Sequence, residues 1–127
     1  EIFYNLGNVQ IDLKKLEEAE TSQRNAILLN KNYTEAYCSL GLILKLEGKF
    51  ADAEILIRRA IKINPRNKYS YLTLGNIMDL MGKYEEAEMN FRKAIEIDNN
   101  YSAAYLNLGK IMKDKGQIKN SEILLLK

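Results

Sequence analysis

A spacing of thirty-four residues governs this chain. The pair Leu-Gly stands at Leu6-Gly7, Leu40-Gly41, Leu74-Gly75 and Leu108-Gly109, with no insertion or gap between copies. An aromatic precedes each pair at Phe3, Tyr37, Tyr71 and Tyr105. Alanine follows at Ala19, Ala53 and Ala87, with Ser121 in the fourth copy, and again at Ala26, Ala60 and Ala94. A fixed period of this size calls for one supersecondary unit stacked on copies of itself, a solenoid. Such a chain offers an extended surface more readily than a reaction centre.

Composition narrows the partners. The chain has 127 residues and a net charge of +2, too small to demand nucleic acid or an anionic membrane. By copy the charge runs −1 over 1–33, +2 over 34–67, −2 over 68–101 and +3 over 102–127, so no single basic face builds up. No apolar run approaches the ~20 residues of a membrane span. Cys38 is the only cysteine. It allows no internal disulfide and fits a reducing compartment, so a cytoplasmic location is expected.

Each copy reads as two helices. Over 34–47 and 68–81 the apolar residues recur at three and four spacings, with Tyr37, Leu40, Leu44 and Tyr71, Leu74, Met78 as the buried stripe. Gly48, Gly82 and Gly116 are expected to close these helices, because glycine takes a left-handed turn without steric cost. The first copy has Lys14 at that place, which predicts a turn of different shape. Second helices are expected near 17–29, 51–63, 85–97 and 119–127. They carry Glu20/Arg24, Glu54/Arg58 and Glu88/Arg92, acid before base at i,i+4, each supporting an exposed face by roughly 0.2–0.5 kcal/mol. Pro65 falls just past a second helix, where it cannot continue that helix.

The small residues state how the helices meet. Gly41 and Gly75 lie mid-helix, where glycine costs about 0.8–1.0 kcal/mol relative to alanine. A penalty repeated in register needs a packing reason. Glycine on one helix facing Ala53/Ala60 or Ala87/Ala94 on the next lets the two backbones approach, with Tyr37, Ile57, Tyr71 and Phe91 filling the sides. The helices then form antiparallel hairpins that stack.

This pattern resembles the tetratricopeptide repeat. Tyr37, Leu40, Gly41, Ala53, Ile57, Ala60 and Pro65 carry the match in one copy, and Tyr71, Leu74, Gly75, Ala87, Phe91 and Ala94 in the next. The resemblance covers essentially the whole chain. Departures are modest: Tyr or Phe replaces the family's tryptophan, Lys31 and Asn99 replace its proline, and Gln23 replaces the large residue in copy one. It implies an all-α solenoid, a right-handed superhelix whose first helices line a concave groove. A single domain over 1–127 is expected, with repeats 1–33 (one residue short at its start), 34–67, 68–101 and a truncated 102–127, part of a longer array.

The resemblance also places the groove. It implies groove positions at Tyr4, Asn5, Asn8, Ile11 and Asp12 in copy one, and at Cys38, Ser39, Leu42, Lys45 and Leu46 in copy two. Copy three offers Leu72, Thr73, Asn76, Asp79 and Leu80. Copy four offers Leu106, Asn107, Lys110, Lys113 and Asp114. Chaperone-binding members of the family clamp a peptide's terminal carboxylate with lysines, asparagines and an arginine. Here those positions read Tyr4, Asn8, Ser39, Tyr69 and Thr73, or, one repeat on, Cys38, Leu42, Thr73, Ala103 and Asn107. Neither set converges charged donors on a carboxylate, so that clamp is absent. Arrays attached to glycosyltransferases instead hold an extended backbone with asparagines, whose amide supplies both donor and acceptor. Asn5, Asn8, Asn76 and Asn107 fit such a series, and Ser39 and Leu42 interrupt it.

The remaining features read as structure. Tyr37, Tyr71 and Tyr105 recur with the repeat and are expected in the core; Met78, Met81 and Met112 are expected to fill gaps. Acidic clusters at 17–20 and 85–88 suit helix starts. With no histidine in the chain, Cys38 has no imidazole base, and a serine–histidine triad and a histidine-containing metal site are excluded. No phosphate-cradling glycine motif occurs. The expected role is a non-enzymatic scaffold, without cofactor or metal, that binds a protein or peptide in the groove through Tyr4, Asn5, Asn8, Ser39, Lys45, Thr73, Asn76, Asp79, Asn107 and Lys110. No nucleic-acid or membrane partner is expected. The alternatives are a structural spacer or self-association element, or the substrate-recruiting arm of a larger enzyme such as a glycosyltransferase. Because Ile123, Leu124, Leu125 and Leu126 lack a covering neighbour in the pattern, end-to-end association through 119–127 is expected, with a concentration-dependent mass in light scattering as its sign.

The small-residue argument makes a stability prediction. Ala60→Leu or Ala94→Leu should cost roughly 1–3 kcal/mol by overpacking, whereas Glu54→Ala should cost a few tenths. Denaturant melts compare the two classes, and equal losses would refute the close contact.

Overall fold

A computed structural model describes the backbone over residues 13–126 and the side chains over 15–116. Six helices follow in order: α1 (Leu13–Leu29), α2 (Thr34–Leu46), α3 (Phe50–Ile63), α4 (Lys68–Leu80), α5 (Tyr84–Ile97) and α6 (Ser102–Leu126). No strand occurs among the described residues. The hairpins α2–α3 and α4–α5 pair within copies, while α1–α2, α3–α4 and α5–α6 pair across them. The first helices α2, α4 and α6 also touch in succession. This is the expected all-α solenoid.

The glycine argument becomes a distance. A Cβ added at Gly41 would lie 2.4 Å from Ile57 Cδ1, and one at Gly75 would lie 2.5, 2.7 and 2.9 Å from three ring atoms of Phe91. Neither site has room for a methyl group. Around these contacts Ala53, Ala60, Ala87 and Ala94 are fully buried, as are Ile57 and Phe91. Leu40, Leu74 and Leu108 sit above them in the core, together with Ile43, Ile77 and Ile111 at a second thirty-four-residue spacing. A third small-residue column, Ala36, Ser70 and Ala104, is also buried.

Two kinds of turn join the helices. Gly48 and Gly82 have φ of 80° and 78°, the left-handed region. Around each, the residue after the glycine donates back to a carbonyl five positions earlier: Lys49 N to Leu44 O and Lys83 N to Met78 O, both 2.8 Å. Gly48 N to Lys45 O and Gly82 N to Asp79 O, both 3.0 Å, complete a Schellman motif. The other turns are built by Asn30, Asn64 and Asp98, whose side chains accept from the backbone N–H two residues on, at 3.0, 3.1 and 3.0 Å. Tyr71 Oη adds a hydrogen bond to Pro65 O at 2.9 Å. The surface pairs hold as expected: Arg24–Glu20, Arg58–Glu54 and Arg92–Glu88 lie at 3.1, 2.8 and 3.0 Å.

Copy four departs from the pattern. No turn forms at Gly116: α6 runs unbroken from Ser102 to Leu126. Continuing a helix adds one backbone hydrogen bond per residue, whereas a turn is favourable only for what the returning helix buries. At ~1.5 Å per residue, Leu125 lies about 24 Å along the axis from Gly109, out of reach of the glycine it would cover in a hairpin. Accordingly a Cβ at Gly109 would meet nothing within 4 Å. Tyr105 and Met112, expected in the core, are exposed at 50% and 53%, while Tyr37 and Tyr71 are buried. Lys14, expected in a turn, falls within α1 instead; a left-handed conformation costs a non-glycine residue about 1–2 kcal/mol. The first helix expected in copy one lies outside the described residues, and so do the side chains at 119–127 on which end-to-end association was expected.

The contrast between glycines predicts opposite signs for one substitution. Gly75→Ala should lower stability, because overpacking against the Phe91 ring, roughly 1–3 kcal/mol, outweighs the propensity gain. Gly109→Ala should raise it by about 0.8–1.0 kcal/mol. Thermal melts of the two variants check this, and a shared sign would overturn it.

Candidate functional site: the exposed face of the first helices

Positions on α2, α4 and α6 that do not enter the core form the surface in question. Their placement follows from helical spacing: Leu74, Gly75 and Met78 are spent against neighbouring helices, which leaves Thr73, Asn76, Asp79 and Leu80 on the remaining arc. Leu46, Leu80 and Leu106 are exposed at 40%, 53% and 75%. Leu42 and Leu72 are half-buried. The face therefore mixes aliphatic area with a few polar groups.

The polar groups meet across the helices. Asn107 Nδ2 donates to Asn76 Oδ1 at 3.0 Å, joining α6 to α4. This bond uses one oxygen and one N–H. The Asn76 amide N–H groups and the Asn107 oxygen remain to serve another partner, one donor group beside one acceptor. One turn along, Lys110 Nζ lies 3.8 Å from Asp79 Oδ2, a loose pair with a solvated ammonium and a largely covered carboxylate. Thr73 is half-buried beside them. Asn76, Asp79, Asn107 and Lys110 are thus brought together, four of the ten expected site residues.

Lys45 stands on α2 at the repeat position of Asp79 and Lys113. It is half-buried, and burial holds its ammonium below the usual lysine range. No ion pair involves it among the described residues. It is a desolvated cation with charge to share.

Copy two corrects two expectations. Ser39 is 1% exposed, so it has no surface for a ligand. Cys38, also expected to face the groove, is equally buried, with its Sγ 3.1 Å from Ser70 Oγ on α4. The Cys38 side chain is taken up between first helices, where the small column at Ala36 and Ser70 is buried. Tyr4, Asn5 and Asn8 lie outside the described residues.

The deeper hollows lie elsewhere. One of about 430 Å³ runs along the interhelix turns by Asn67, Tyr69 and Asp98, and another of about 390 Å³ lies between α3 and α5 by Arg58, Glu86 and Met89. Both are open clefts. Among the described residues no three acidic, cysteine or histidine side chains gather as a metal site, and no helix is long and apolar enough to cross a membrane.

Comparison with known proteins agrees with this architecture. Family profiles described as tetratricopeptide repeat match residues 1–33, 34–67 and 56–89, and one described as TPR repeat matches 80–116. The chain belongs to the tetratricopeptide-repeat family. Among solved structures it is similar to the first TPR of Spaghetti (RPAP3) bound to the HSP90 peptide SRMEEVD, with 21% identity, 91% of each chain covered and a TM-score of 0.78. It is similar to MamA, with 27% identity, 90% of this chain and 67% of that one covered, and a TM-score of 0.76. An O-GlcNAc transferase mutant from Thermobaculum terrenum is similar at 23% identity over 77% of this chain, but only 19% of its own, with a TM-score of 0.75. No functionally curated protein matches the sequence.

The sequence reading missed two groups of residues. The turn formers Asn30, Asn64 and Asp98 recur at thirty-four residues, a signal obscured by the abundance of asparagine. The Lys115 bridges to Glu85 and Glu88, at 2.8 and 2.9 Å, pin α6 on α5. Their acid–base spacing spans a turn and two helices and resembles no local motif.

Proposed function

We propose that this chain is a protein-interaction scaffold that binds an extended polypeptide along the exposed face of its first helices. The observation that carries the reading is the Asn76–Asn107 amide pair, 3.0 Å across the α4–α6 junction. A peptide group presents one N–H and one C=O, and this pair keeps one acceptor and one donor group in reserve for them. Backbone recognition of this type tolerates many side chains and suits a segment without secondary structure of its own. Leu72, Leu80 and Leu106 supply apolar area beside the amides, and Lys45, with no ion pair among the described residues, offers an ammonium one repeat away. Tyr4, Asn5 and Asn8 would extend the contact into copy one, whereas Ser39 is withdrawn from it.

The peptide in the similar Spaghetti (RPAP3) complex supports a polypeptide as the class of ligand. The mode differs, because the positions that would clamp a terminal carboxylate are filled here by Ser39, Tyr69 and Thr73. Ser39 is buried, and Tyr69 packs edge-on against Tyr101 with ring centres 6.0 Å apart. Backbone hydrogen bonds in mid-segment are the better fit. A cytoplasmic setting and the absence of cofactors belong to the same reading.

Asn76→Ala with Asn107→Ala should weaken capture of a partner polypeptide, and of unstructured peptides displayed in a library, by about tenfold. Helix content by circular dichroism should not change. Full binding by the double variant would instead favour a structural spacer with an empty groove.

A further inference from the structure

The repeat sets two positions, twenty-seven residues apart, in the same relation at three junctions between copies. One lies in the first half of the second helix and is always a glutamate: Glu20, Glu54 and Glu88. The other lies at the end of the following first helix, or two repeats on within α6, and reads Glu47, Met81 and Lys115. At the last junction Lys115 Nζ sits 2.9 Å from Glu88 Oε1, an ion pair that ties α6 to α5. At the middle junction Met81 packs against the core. At the first junction both positions are acidic.

The surroundings sharpen the conflict. Glu47 caps the end of α2, and its Oε1 is fully buried without a hydrogen-bond partner. Glu20 accepts from Arg24 Nε at 3.1 Å and lies within hydrogen-bonding reach of Glu47. The other charged groups facing the pair are Glu17 on α1 and Lys49 at the start of α3. Two carboxylates this close resist joint ionisation, and one proton between them converts repulsion into an O–H to carboxylate hydrogen bond.

We propose that Glu20 and Glu47 form a proton-sharing carboxyl pair that makes α1 dock more tightly on α2 in mild acid than at neutral pH. The proton resides on Glu47. Burial, and then the adjoining Glu20 carboxyl, pushes Glu47 above the ordinary glutamate range. Glu20 stays below it: burial opposes this, but the bonds from Arg24 and Glu47 prevail. A carboxyl raised on folding contributes stability that is complete below its unfolded pKa and lost as pH rises through its folded one. The window therefore lies above the ordinary glutamate value of about 4.3. Asp98 and Glu88 behave oppositely, because Lys68 and Lys115 hold them down and their pairs weaken as pH falls. A local readout at α1 separates the two trends.

Two measurements test the pair on the whole chain. In a carbon-detected NMR titration, the Glu47 carboxyl should titrate above the ordinary glutamate range, and its midpoint should fall in E20Q. Hydrogen exchange of α1 amides is then compared between the native chain and E47Q at matched pH, so that intrinsic exchange cancels. Glutamine mimics the protonated acid, so E47Q should be several-fold better protected at neutral pH and equal to the native chain in acid. E47K, reproducing the Lys115 arrangement, should also protect α1 at neutral pH. A Glu47 midpoint within or below the ordinary range would overturn the proposal. So would a protection ratio between the native chain and E47Q that does not change with pH.

Discussion

The close approach of a large side chain to a bare glycine backbone sets the geometry of this solenoid. Ile57 over Gly41 and Phe91 over Gly75 fill the space a methyl group would need, and the alanines beside them let the second helix lie near enough to do so. The helix-propensity loss at glycine is small against the burial of a whole isoleucine or phenylalanine, about 1.5–3 kcal/mol each. The hairpins form because this exchange is favourable. Stacking follows, since α2 and α4 each lie against the second helices of two copies and must match both.

The turns make the hairpins directional. Left-handed glycines at Gly48 and Gly82 reverse the chain inside a copy, and asparagine or aspartate side chains at Asn30, Asn64 and Asp98 start the next. The two devices satisfy different groups, helix-end carbonyls in the first and N–H groups of the turn itself in the second. Asp98 does more than turn the chain: it also bonds Lys68 at the start of α4 in the same copy, so one residue shapes the turn and ties the two ends of its hairpin.

Junction chemistry varies while backbone geometry repeats. Lys115, Met81 and Glu47 occupy equivalent places and behave in three different ways: an ion pair with Glu88, packing against the core, and a carboxyl facing Glu20. Nearest-neighbour terms dominate the stability of a stacked array, so this one contact can make its junctions unequal in strength and in their response to pH. The exposed face of the first helices is under a different constraint. There Asn76, Asp79, Asn107 and Lys110 bond to one another across α4 and α6, while Leu72 beside them still packs on the core.

The thirty-four-residue spacing alone determined the helices, their pairing and the buried column of leucine, glycine and alanine, because steric exclusion at a repeated contact leaves a residue-by-residue trace. It also placed Asn76 and Asn107 on one face: Asn107 shares its repeat phase with Thr73 and Asn76 with Lys110, and positions three apart on a helix lie on the same side. Tertiary structure decided the rest. Only packing withdraws Ser39 and Cys38 from the surface, Cys38 against Ser70 on α4. Only the tertiary structure shows α6 continuing through Gly116, with Tyr105 and Met112 exposed. The encounters of Asn107 with Asn76, Lys115 with Glu88, and Glu47 with Glu20 depend on how far one copy rotates upon the next. That rotation is set by the summed contacts of whole helices and has no local signature in the chain.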